Sequence, residues 1–133
     1  MTDPDLATAD RRSRPHPAFS ALVGLTSLGV LLQGLWAGLF LRQDNDYGSW
    51  LTVHQRSAEI TLVLAVLATV AAVAWMRHNR PAVIGTVLLL VLLVVEYFLG
   101  RAGNESVGVV FHVPLAMLLM ALAVYLPVLA RRG

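Results

Sequence analysis

The strongest constraint on the fold is a series of four long apolar segments separated by short polar stretches. We assign membrane spans to residues 19–41, 51–76, 82–100 and 107–130. Each approaches or exceeds the roughly 20 residues that a helix needs to cross a hydrocarbon core about 30 Å thick. Because hydrocarbon offers no partner for free backbone N–H and C=O groups, each span must be helical. The sequence therefore predicts an all-α fold, an up–down four-helix bundle integral to a membrane.

Composition supports this class and excludes several kinds of site. The chain is 57% hydrophobic and 14% charged, more apolar than a soluble domain of 133 residues can hide. It has no cysteine, which excludes disulfides, thiolate metal sites, iron–sulfur clusters and covalently attached c-type haem. All its basic residues other than histidine are arginine, which is typical of high-GC bacterial coding. The predicted surroundings are a lipid bilayer, with no nucleic-acid partner.

The arginines indicate the orientation of the chain. A polar tail, residues 1–17, is predicted to be disordered and precedes a membrane domain, residues 18–133. Seven of the ten arginines lie on the side that holds both termini and the loop between the second and third spans. The three on the opposite, outer side are Arg42, Arg56 and Arg101. The positive-inside rule then predicts a multi-pass protein of the bacterial plasma membrane with both termini cytoplasmic.

Two histidines, His54 and His112, lie a few residues inside the outer ends of the second and fourth spans. Ionisable side chains within a bilayer are costly unless they are paired, coordinated or hydrated, so they usually mark a site. Three further polar groups, Gln33, Glu59 and Glu96, also fall in the outer half of their spans. A faint repeat of the two helical hairpins would put the two imidazoles opposite each other. The sequence thus predicts a polar pocket that opens outward.

Haem binding is the leading interpretation of this pocket. An axially ligated haem requires two imidazoles at matching depth on two helices, so we predict that His54 and His112 are the metal ligands of haem b. The predicted partners of the haem propionates are Arg42, Arg56 and Arg101. Pro114 frees a backbone carbonyl one turn before it, which could accept a hydrogen bond from the second nitrogen of a ligating imidazole.

Plainer interpretations of the same side chains stay open. Either histidine can reach the membrane interface instead of binding a metal. Glu96 is expected to be hydrogen-bonded between helices or paired with Arg101 one turn away, and Glu59 to be paired with Arg56. The amide of Gln33 is expected to join two helices. Glycines four residues apart, at positions 34 and 38, serve close helix packing in any bundle.

Several of these residues together form a pattern that resembles known families. The pattern comprises Gln33, Ala37-Gly38, His54, Glu96 and Phe111-His112-Val113-Pro114. Over nearly the whole chain it resembles a family of small bacterial four-helix membrane proteins without an established activity. The layout is also similar to one half of haem A synthase, whose four-helix halves each hold a haem between a histidine of the second helix and one of the fourth. That resemblance implies that His54 and His112 are axial ligands.

The chain departs from the synthase pattern in three respects. The synthase has a glutamate three residues before the histidine of the second helix, where this chain has Leu51. The synthase uses a cysteine pair in an outer loop, and this chain has no cysteine. Only one of the two halves is present. Haem A synthesis is therefore not expected, and the sequence offers no sign of another enzymatic reaction, whereas haem binding remains.

Three functions follow as hypotheses. The first is haem binding for electron transfer, haem handling or redox sensing, with a redox partner or a quinone. The alternative is a non-catalytic accessory or structural membrane protein whose polar cluster only fixes helix packing. A proton-coupled carrier that uses the glutamates and histidines as a relay is a third, against which the apolar inner half argues. Homo-oligomerisation stays open, since helix faces rich in Gly and Ala can pair.

Overall fold

A computed structural model describes residues 15–42, 47–102 and 107–132, and within these ranges it contains four helices and no strand. They are α1, Pro17–Phe40; α2, Tyr47–Trp75; α3, Arg80–Arg101; and α4, Gly108–Arg131. Each is long and apolar enough to cross a membrane. The predicted all-α membrane bundle is therefore confirmed. The predicted disordered tail falls mostly on residues 1–14, which lie outside the described residues.

The helix ends differ modestly from the predicted spans. The largest difference is at α2, which begins at Tyr47, whereas the predicted span begins at residue 51. Residues 47–50, assigned to a loop from the sequence, are therefore helical. α1 begins at Pro17, because proline lacks a backbone N–H and has a φ angle suited to the first helical position. The acidic residues Asp44 and Asp46 of the predicted loop lie outside the described residues.

The helices form a closed ring in chain order. α1 packs on α2, α2 on α3, α3 on α4 and α4 on α1, and the diagonal pairs make no close backbone contact within the described ranges. We call the end where α1 and α3 finish and α2 and α4 begin the histidine end. The opposite end, which carries the start of α1 and the end of α4, is the termini end.

The core lies between the middle of the bundle and the termini end. Its larger fully buried side chains are Phe19, Val23, Leu89, Leu119 and Leu126. Seven buried alanines also belong to it: Ala65, Ala68, Ala71, Ala72, Ala82, Ala123 and Ala130. In the ten residues of each helix nearest the histidine end, Leu93 and Glu96 are the only buried ones among those described. The bundle is thus closely packed towards the termini and looser around the histidines.

A proline in α4 is compensated by a serine of α1. Pro127 has no backbone N–H, so the carbonyl of Ala123 four residues earlier loses its helical partner. The hydroxyl oxygen of Ser27 lies 2.9 Å from that carbonyl oxygen and also 2.9 Å from the carbonyl of Val23 in its own helix. Ser27 therefore satisfies the carbonyl group that Pro127 leaves without a partner and joins α1 to α4.

The loop between α2 and α3 is fixed by one buried amide. The side-chain oxygen of Asn79 accepts the N–H of Ala82 at 3.0 Å and so caps the start of α3. Its side-chain nitrogen donates to the carbonyl of Ala130 at 2.9 Å, near the end of α4. Asn79 thus holds the start of α3 against the end of α4.

Candidate functional site

The two predicted haem ligands meet at the histidine end, although they come from helices on a diagonal of the ring. The ring centroids of His54 on α2 and His112 on α4 lie 6.4 Å apart, and the ring planes are inclined by 75°. Both imidazoles are partly buried. The two histidines that the sequence places at the same depth are therefore also close in space.

His54 is held by α1. Its Nδ1 lies 3.2 Å from the backbone carbonyl oxygen of Gln33. The side-chain amide of Gln33 satisfies both its ends when its oxygen accepts from Ser57 Oγ and from the N–H of Ala58 at 2.8 Å. Its nitrogen then lies 3.1 Å from the backbone carbonyl of His54. The expected role of Gln33 as a link between two helices is confirmed.

His112 is held by α3. Its Nδ1 lies 3.1 Å from Oε1 of Glu96, with 25% and 11% of the two side chains exposed. Glu96 therefore lies between α3 and α4, as one of its two expected roles requires, but it approaches His112 at ion-pair distance without the expected hydrogen bond. It does not pair with Arg101, whose guanidinium lies 5.7 Å from the ring centroid of Tyr97. The predicted use of the carbonyl freed by Pro114 is also wrong, because Nδ1 of His112 faces Glu96 instead.

Three buried polar atoms at the histidine end make no hydrogen bond with any other described residue. They are Nε1 of Trp36, Oε2 of Glu96 and Nδ1 of His112. The last of these lies at ion-pair distance from Glu96, but the angle is not that of a hydrogen bond. Buried polar groups usually have partners, and an exception indicates a water or a ligand. Among the described residues, the buried polar side-chain atoms without a hydrogen-bond partner thus all lie at the histidine end.

Gly100, which the sequence analysis did not single out, makes room for His112. A β-carbon on Gly100 would lie 3.0 Å from Cε1 of the imidazole and 3.4 Å from its Nδ1. The signal in the sequence was a glycine in the last turn of α3, opposite the first turns of α4. The pair Gly34 and Gly38 behaves differently, because added β-carbons there would meet open space. Their expected role in helix packing within the bundle is therefore wrong.

The arginines predicted to hold propionates are not equivalent in the structure. Arg56 pairs with Glu59 at 2.9 Å, as expected for these two residues, and its side chain is 74% exposed. Arg56 follows His54 by two residues, which is a rotation of about 200° around α2. Its side chain therefore points to nearly the opposite side of the helix from His54. Arg101 lies over an aromatic ring of its own helix, and Arg42 lies exposed just beyond α1.

The donor set of the site is two imidazoles. No group of three or more His, Asp or Glu side chains able to hold a metal ion occurs within the described ranges. A haem iron needs only axial ligands from the protein, since the porphyrin supplies the other four. Two histidines therefore suit a haem better than a bare metal ion.

Comparisons with protein-family models, with curated proteins and with solved structures found no match to this chain. The arrangement of the histidine end is therefore the basis of a functional proposal.

Proposed function

We propose that this protein binds one b-type haem between His54 and His112 and serves in electron transfer or haem handling. The observation that carries the proposal is the 6.4 Å separation of the two ring centroids. Two imidazole nitrogens on opposite sides of one metal ion, each about 2 Å from it, leave the ring centroids about 6 Å apart. The observed separation supports such a pair of axial ligands.

The surroundings of the two Nδ1 atoms support the same proposal. A ligating histidine usually directs its second ring nitrogen at a carbonyl or a carboxylate, which fixes its tautomer. Here Nδ1 of His54 faces the Gln33 carbonyl, and Nδ1 of His112 faces the Glu96 carboxylate. With the proton on Nδ1, the lone pair of an imidazole is on Nε2. For His54 this tautomer requires that the Gln33 amide nitrogen, 3.0 Å from Nδ1, donates to the backbone carbonyl of His54 and not to the ring. Gln33 and Glu96 would thus orient the two ligands.

The remaining residues supply room and counter-charge. Gly100 accommodates the His112 imidazole itself, and few of the described residues are buried around the two imidazoles. Arg42, Arg56 and Arg101 stay the proposed partners of the propionates, and for Arg56 this role competes with its ion pair to Glu59. A bound haem would supply one-electron redox chemistry, with a protein or a quinone as its redox partner.

The charge distribution supports the proposed location in a bacterial plasma membrane with cytoplasmic termini. Four described arginines lie at the termini end: Arg77, Arg80, Arg131 and Arg132. Three described arginines lie at the histidine end, where Arg56 is neutralised by Glu59. The positive-inside rule therefore favours the termini end as cytoplasmic. Alkaline phosphatase fused after residue 132 should be inactive, and a fused fluorescent protein should be bright.

The haem proposal is tested by spectra of the purified protein expressed with haem supply, oxidised and then reduced with dithionite. We expect a Soret band and sharp reduced bands that both His54→Ala and His112→Ala abolish. His78→Ala is the matched control, because His78 is an exposed histidine of the termini end. Circular dichroism establishes that each variant keeps its helices. A colourless wild-type protein, or bands that survive both substitutions, would refute the proposal.

One observation favours a second candidate, the accessory protein whose polar cluster fixes helix packing. The side chains of Gln33, Ser57 and His54 find partners among one another and the backbone groups of α1 and α2 without any cofactor. This candidate predicts a colourless protein in which the histidine variants are less stable but otherwise normal. The same spectra, combined with unfolding measurements, separate the two candidates.

A further inference from the structure

A groove at the termini end lies far from the histidines. It runs between the start of α1 and the end of α4 and encloses a cavity of about 190 Å³. Its apolar wall consists of Phe19, Val23 and Pro127, and the residues at its mouth are Pro15, Ser20 and Arg131. From Phe19 to Val23 the wall extends about 6 Å along α1, taking 1.5 Å per residue. The groove thus has an apolar interior and a polar mouth.

Within the described part of the chain, two donors at the mouth have no partner. The side chains of Ser20 and Arg131 make no hydrogen bond or ion pair with any other described residue. The neighbouring Arg132 differs, because it donates to the Tyr125 hydroxyl at 3.2 Å and lies over the Tyr125 ring. A guanidinium and a hydroxyl on two adjacent helices are suited to an anionic oxygen group.

Among the described residues, the charge around the groove is of one sign. The described part of the termini end carries arginines at positions 77, 80, 131 and 132, while the described carboxylates, Glu59 and Glu96, lie towards the other end. Basic residues at the end of a membrane span attract anionic lipids by about 1 kcal/mol each. Because the groove lies at the ends of two membrane helices, it is in contact with lipid. Its charge therefore decides which lipid headgroup it favours.

We infer that this groove binds an anionic phospholipid. The phosphate lies against Arg131 and Ser20, and the upper part of one acyl chain packs on Phe19 and Val23. Zwitterionic lipids bind less tightly, because the cation of their own headgroup is repelled by Arg131. The inference does not depend on haem binding at the histidine end.

The test is a lipid titration of the detergent-purified full chain, followed by native mass spectrometry. Phosphatidylglycerol and phosphatidylcholine with identical acyl chains are the two probes. We expect phosphatidylglycerol to bind about fivefold more tightly. Arg131→Gln should bring this ratio close to one, and Arg132→Gln, the matched control, should lower it much less. Equal binding of the two lipids by the wild type would overturn the inference, as would equal effects of the two arginine variants.

Two further arms distinguish a lipid site from a simple phosphate site. Glycerol 1-phosphate, which has the headgroup chemistry without acyl chains, should not displace bound phosphatidylglycerol at equal concentration. Ser20→Trp should fill the mouth of the groove and weaken binding of both lipids, and Ser20 is exposed, so the bundle should tolerate the change. Displacement by the soluble phosphate, or undiminished binding by Ser20→Trp, would refute the acyl-chain groove.

Discussion

The carboxylate of Glu96 and the imidazole of His112 face each other at 3.1 Å across the interface between α3 and α4. Both groups lie in the loosely packed part of the bundle, and Glu96 is one of the few residues buried there. Their pairing couples the orientation of His112 to α3. It also distinguishes a structural use of the histidine end from a cofactor site, because the two uses respond differently to substitution.

The coupling between Glu96 and His112 should exceed that of an exposed pair. We expect a double-mutant cycle with Glu96→Ala and His112→Ala to give about 1 kcal/mol or more, since removal of one partner leaves the other buried. The matched cycle with Glu59→Ala and Arg56→Ala should give about 0.5 kcal/mol or less, because both residues lie on α2 and their pair persists when the helices separate. Unfolding in mixed micelles with increasing SDS measures both. Equal coupling energies would contradict the assigned importance of the Glu96 pair.

A larger side chain at Gly100 should displace the His112 imidazole. In Gly100→Leu the new atoms occupy the space of Cε1 and Nδ1, so haem occupancy, read from the Soret absorbance per protein, should fall at least severalfold. Gly34→Leu is the control, because a side chain at that exposed position meets open space. A haem-loaded Gly100→Leu variant with wild-type absorbance would contradict this reading of the glycine.

Loss of the Ser27 hydroxyl should destabilise the bundle only while Pro127 is present. Ser27→Ala leaves the Ala123 carbonyl without a partner and should lower the free energy of unfolding by about 1 kcal/mol. In a Pro127→Ala background the new N–H restores the helical bond, so the same change should cost less. Thr69→Val is the control, since Thr69 bonds only the Ala65 carbonyl within its own helix. If Ser27→Ala lowered the free energy of unfolding equally in both backgrounds, the role of Ser27 would not depend on Pro127.

The two hydrogen bonds of Asn79 should be separable by substitution. Asn79→Ser retains a cap for α3 but loses the donor to Ala130, which should cost about 1 kcal/mol of unfolding free energy. Asn79→Asp also retains the cap, yet it places an oxygen against the Ala130 carbonyl, so it should cost more than Asn79→Ser. SDS-induced unfolding measures the order. If Asn79→Asp were the more stable of the two, the bond to Ala130 would be unimportant.

Part of the site was predictable from the sequence because it depends on distance along a helix. The depth of His54 and His112 follows from their positions within apolar spans, and the pair of Arg56 with Glu59 follows from helical spacing. Gln33 was expected to join helices because an amide in hydrocarbon needs a partner. None of these inferences requires knowledge of how one helix is rotated against another.

Other contacts depend on rotation and packing, which apolar sequence does not record. Glu96 has a basic residue of its own helix within reach in Arg101, yet it faces His112 of another helix. The small-residue pair Gly34 and Gly38 looks suited to packing but lies open, while Gly100 accommodates a side chain of α4. Sequence alone could not distinguish these glycines, since each is simply a small residue in a span.

The sequence by itself determined that this protein is a bundle of four membrane helices and that His54 and His112 lie at one depth. Hydrocarbon leaves the backbone no alternative to helices, and the rise per residue sets depth. Only the tertiary structure decided which side chains meet: Nδ1 of His112 with Glu96, Ser27 with the Ala123 carbonyl, and Asn79 with Ala130. The physical reason is that lipid is as apolar as the bundle interior, so hydrophobicity does not distinguish the inward face of a membrane helix from the outward one.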